Sequence, residues 1–182
     1  MKTLVIHPFD ESTSFLEAVY EKVPLKTVIR GGLSREEVQT LISSHDRIMM
    51  MGHGSPRGLL SVSQFPEAGP YIIDGFSAGL LRMKKNSVFI WCYADQFVHN
   101  RCLNGFCSGM FVSEMDEACI IGIKGVTQDL IDRSNDRFSQ VAGLHINGES
   151  AERICENIKK EYGILANQNP VIRHNYMRLY SK

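Results

Sequence analysis

The chain has 182 residues, 20 Lys+Arg against 20 Asp+Glu, and 43% hydrophobic residues. That is enough apolar material for one packed core and too little length for two ordinary domains, so a single domain over residues 1–182 is expected. The balanced charge lacks the basic excess that phosphate neutralisation demands, so no nucleic-acid partner is expected.

In chain order, Leu4-Val5-Ile6 is a short β-like run that ends at His7-Pro8. It is too brief for a secretory leader, and no apolar run is long enough for a membrane span. Five cysteines is an odd number, so a fully paired disulfide framework is excluded. A reducing, cytoplasmic location is expected. Asp10, Ser12 and Thr13 offer caps for a helix over residues 14–22, with Phe15, Leu16, Val19 and Tyr20 at helical spacing. Thr27-Val28-Ile29 is the second run. Ser34 and Glu37 then form a capping box, opening a helix that carries Val38, Leu41 and Ile42 inward and stops near His45.

Ile48-Met49-Met50-Met51 is the third run, closed by Gly52-His53-Gly54-Ser55-Pro56. Consecutive strand residues alternate faces, so the methionines read as packing on both sides of a sheet. A hairpin is expected within residues 59–73, and Asp74 or Ser77 caps a short helix through Leu80-Leu81. Residues 87–92 form the fourth run and residues 118–122 a fifth. Cys119 and Cys155 read as core. Helices are predicted over 128–144 and 150–162, and the tail from Pro170 reads as irregular or docked. Unbroken apolar runs mark strands covered on both faces. Strands alternating with helices imply parallel pairing. The fold class is therefore α/β, with three layers and helices on both sides of a mostly parallel sheet.

In such sheets ligands bind beyond the carboxyl ends of the strands. That rule selects His53, past the third run, and Cys92, at the end of the fourth. A thiol becomes a strong nucleophile on losing its proton, and an adjacent imidazole can take it. The Gly54 and Cys92 amides are candidate oxyanion donors. Asp95 is a candidate for orienting His53 or receiving a basic substrate side chain, and its alternative is a helix cap. His99, Cys102 and Cys107 have loosely zinc-like spacing but form a single knuckle, so no metal site or cofactor is assigned.

An apolar strand ending in His-Gly (Ile48 to Gly54), followed by an apolar strand ending in Cys (Val88 to Cys92), resembles the caspase-like cysteine peptidases. That group includes the caspases and the legumain-, clostripain- and gingipain-like enzymes. The resemblance implies His53 as general base, Cys92 as nucleophile, a thioester intermediate and a peptide or protein substrate. A non-catalytic binding or scaffold domain with Cys92 buried is the alternative. Gly52-His53-Gly54-Ser55 is also similar to the metal-binding motif of sirohydrochlorin-type chelatases, where it follows the first strand.

Overall fold

A computed structural model describes residues 1–66, 68–148 and 150–182. Its six-stranded sheet comprises β1 (Thr3–Ile6), β2 (Lys26–Ile29), β3 (Arg47–Met51), β7 (Ser87–Ile90), β8 (Gly105–Ser108) and β9 (Leu179–Ser181), in the order β2-β1-β3-β7-β8-β9. All pairs are parallel except β8 with β9. A small antiparallel sheet of β4 (Gly54–Ser55), β5 (Gly58–Leu60) and β6 (Tyr71–Ile73) grows directly out of the turn after β3.

Side-chain alternation in the sheet produces two cores. Leu4, Ile6, Met50 and Phe89 join one apolar cluster, which takes in α2 (Arg35–Ser44), α3 (Ala78–Leu81), α4 (Ala94–Asn100) and the small sheet. Val5, Met49, Met51, Val88 and Ile90 join the other, which is covered by α1 (Glu17–Tyr20), α6 (Gln128–His145), α7 (Ala151–Tyr162) and α8 (Pro170–Tyr176). The three consecutive methionines thus serve both faces, all fully buried. Among the described residues, no helix is long and apolar enough to cross a membrane.

The capping box of Ser34 and Glu37 forms as its sequence requires. The first helical segment starts earlier than expected. Asp10 caps a 3-10 turn over Glu11–Leu16, which runs into α1. The predicted fifth strand over 118–122 is instead α5 (Met115–Ile121). Glu114 and Glu117 cap it reciprocally, and Gly122 ends it at φ 76°. Ala118 packs inward while Cys119 and Ile120 face solvent, so Cys119 is not core. Cys155 is buried as expected. The fifth strand of the six-stranded sheet in chain order, β8, is short and glycine-led and carries no β-branched residue. Gly105 fits there because a Cβ would stand 2.2 Å from the Ser87 carbonyl oxygen. The tail folds into α8, capped by Asn169 with Pro170 in its first turn, and then into β9.

Buried Arg47 marks the opposite end of the sheet from the site. It is 1% exposed and donates to the Asn86 and Ile146 carbonyls at 2.8 and 2.6 Å. Burial lowers its pKa to about 10.

Candidate active site

The register of two neighbouring strands sets the site. Met51 of β3 pairs with Ile90 of β7, and His53 and Cys92 each lie two residues beyond that rung. Gly52 makes the turn at φ 136°, its amide donating to the Ile90 carbonyl at 3.0 Å. This backbone conformation suits glycine. On the neighbouring strand, Tyr93 takes a left-handed φ of 66°, and α4 begins at the next residue. Such conformations cost energy in non-glycine residues and cluster at functional turns. Cys92 therefore sits on a sharp strand-to-helix elbow. The Tyr93 amide donates to Gly109 and the Ala94 amide to Trp91, whereas the Cys92 amide donates no backbone bond among the described residues.

His53 and Cys92 line one recess with Thr13, Leu16, Gly52, Phe111, Ser113 and Glu117. Its volume is about 20 Å³, room for roughly one water molecule. His53 Nε2 lies 2.7 Å from Ser12 Oγ, which in turn donates to Asp10 Oδ1 at 2.7 Å. The hydroxyl and amide of Ser12 hold the Asp10 carboxyl below its ordinary pKa, and His53 adds to the effect. An ionised Asp10 can only accept, so the Ser12 hydroxyl hydrogen points to it and the Ser12 oxygen accepts from His53 Nε2–H. Nδ1 is then the imidazole nitrogen left for other work, with no hydrogen-bond partner among the described residues.

The thiol is held differently. The single Cys92 S–H is shared between two acceptors, the Phe111 carbonyl and Glu117 Oε1, each 3.4 Å from Sγ. Burial, with the Glu117 carboxylate second, pushes its pKa up to about 12. Glu117 Oε2 accepts from the Ser113 amide at 2.7 Å, the Ser113 hydroxyl at 3.0 Å and the Glu114 amide at 3.2 Å. Buried Asn175 of α8 grips the Val112 amide and carbonyl, both at 2.8 Å. The tail thus braces the wall that carries Phe111 and Glu117.

Two predicted site residues do not line the recess. Gly54 stands beside the recess in β4, against the indole of Trp91, and does not line it. A Cβ at Gly54 would sit 2.1 Å from Trp91 Cδ1, and the Trp91 Nε1–H donates to the Ser55 carbonyl at 3.1 Å. Replacing Gly54 with Ala is expected to destabilise the fold by about 3 kcal/mol, since the buried indole has nowhere to move. Urea unfolding measures this. Asp95 is carried by the first turn of α4 into a separate hollow with His99, Cys107 and Tyr180. It does not line the recess of His53 and Cys92.

Among the described residues, no three His, Cys, Asp or Glu side chains gather closely enough to hold a metal. Asp10, Ser12 and Glu117 are the site residues that sequence reasoning missed. In the sequence Asp10 and Ser12 carry only a helix-cap signal, and Glu117 adjoins an apolar run with strand character. Neither a family model, a curated protein nor a solved structure matches this chain.

Proposed function

We propose that this protein is a cysteine hydrolase of the caspase-like kind, acting on peptide bonds through Cys92 and His53. The observation that carries the reading is the equal register of the two residues past the Met51–Ile90 rung, lining one recess. In the reaction, the Cys92 proton passes to His53 Nδ1 and Sγ attacks the substrate carbonyl carbon. The Cys92 amide, without a backbone partner among the described residues, donates to the oxyanion. His53 then protonates the leaving amine as the carbon–nitrogen bond breaks, and activates the water that hydrolyses the thioester. Asp10 and Ser12 hold Nε2–H in place and stabilise the imidazolium. A carbonyl group needs more room than the resting recess offers, so the recess widens on substrate entry. All five cysteines are free, which suits a cytoplasmic location.

A binding or scaffold domain is the second reading. The raised pKa of Cys92 and the two acceptors of its S–H favour it. Mass-spectrometric profiling of a proteome-derived peptide library separates the two. Cleavage by the wild type or by Glu117→Gln that disappears in Cys92→Ala supports the hydrolase. No Cys92-dependent cleavage by either supports the scaffold.

A further inference from the structure

The antiparallel sheet after His53 carries a second concavity. It measures about 600 Å³ and is lined by Arg57, Pro70, Tyr71, Asp74, Gly75, Phe76 and Arg101. It shares no lining residue with the recess of His53 and Cys92. Arg57 stands at the β4–β5 turn, its amide donating to Ser55 Oγ at 3.1 Å. Arg101 lies across the backbone at Gly75, where a Cβ would stand 2.8 Å from its guanidinium carbon. Both arginines are exposed, and neither forms an ion pair among the described residues.

The carboxylate in this hollow is already committed. Asp74 Oδ2 accepts from Arg35 and Oδ1 from the Phe76 amide, at 2.8 and 2.9 Å. Arg35 also donates to the Ala68 and Tyr71 carbonyls at 2.6 and 2.7 Å, so the pair is fixed. Two guanidinium groups are therefore left for a ligand, beside a phenyl ring that is 85% exposed. Planar guanidinium forks match carboxylates in two-point contact. The aromatic and proline wall adds apolar surface that an inorganic anion would not use.

We propose that this hollow docks an acidic peptide segment of a protein partner, with carboxylates on Arg57 and Arg101 and an apolar side chain against Phe76. The site stands whether or not Cys92 is catalytic. Fluorescence anisotropy of a fluorescein-labelled Glu-Asp-Phe-Asp-Glu peptide tests it on the full chain, with circular dichroism to verify folding of each variant. Wild type is expected to bind saturably, more weakly as salt rises. Losing both guanidiniums in Arg57→Gln/Arg101→Gln should weaken binding at least about tenfold, as should the amide version of the peptide. Phe76→Ala should weaken it about threefold. Unchanged affinity in the folded double variant overturns the proposal. So does equal binding of the amide peptide, or displacement of the peptide by phosphate as effectively as by unlabelled peptide. Alkylation of Cys92 should be the same in the double variant and the wild type, which separates failure of this site from failure of the hydrolase.

Discussion

Glu117→Gln is expected to speed alkylation of Cys92 by iodoacetamide at neutral pH by about tenfold. Glu117 opposes ionisation of the thiol because Sγ donates to its carboxylate. The amide keeps an oxygen for the Ser113 and Glu114 amides and turns an N–H donor toward sulfur. Both changes favour thiolate. A falling thiol pKa raises the thiolate fraction faster than it lowers nucleophilicity, so the rate rises. Intact-protein mass spectrometry over time reads the rate. An unchanged or slower rate means that Glu117 does not hold the thiol in its protonated form.

His7 carries the largest expected pH effect. It is completely buried behind the recess wall, with Nδ1 on the Tyr20 hydroxyl at 3.0 Å and Nε2 on the Thr13 hydroxyl at 3.1 Å. Burial first, and Arg30 second, lower its pKa from 6.5 to about 4, against smaller opposing effects of Glu17, Thr13 and Asp10. A lowered pKa means that the unfolded chain takes up the proton first. The stability contributed by neutral His7 is thus present above pH 6.5 and is lost as pH falls through about 4. The loss amounts to about 3 kcal/mol. Urea unfolding should show it as a difference in pH dependence between wild type and His7→Gln, the variant being flatter over that window. Parallel curves would mean that His7 is not held neutral by the fold.

The sheet was legible where apolar runs are β-branched or long, as in β1, β3 and β7, because strands buried on both faces need no polar alternation. It was illegible at β8, where Gly105, Cys107 and Ser108 carry almost no strand signal and pairing with β7 decides the conformation. At residues 118–121 the apolar run looked like a strand, but the reciprocal caps of Glu114 and Glu117 make it a helix. That His53 and Cys92 line one recess was legible because both follow strongly marked strands. Asp10, Ser12 and Glu117 reach these two residues from loops and a helix distant in sequence. Gly54 and Asp95 are near the two recess residues in sequence but do not line the recess. Closeness in sequence to His53 and Cys92 does not fix facing once a tight turn intervenes.

The most direct measurement of the central claim is the pH profile of Cys92 alkylation in the wild type and in His53→Ala, with the modified residue identified by peptide mapping. If His53 accepts the thiol proton, the wild-type rate at neutral pH exceeds that of the variant by about tenfold or more, and a step in its profile disappears on substitution. Superimposable profiles, rising only with the intrinsic ionisation of a buried thiol, would contradict the account.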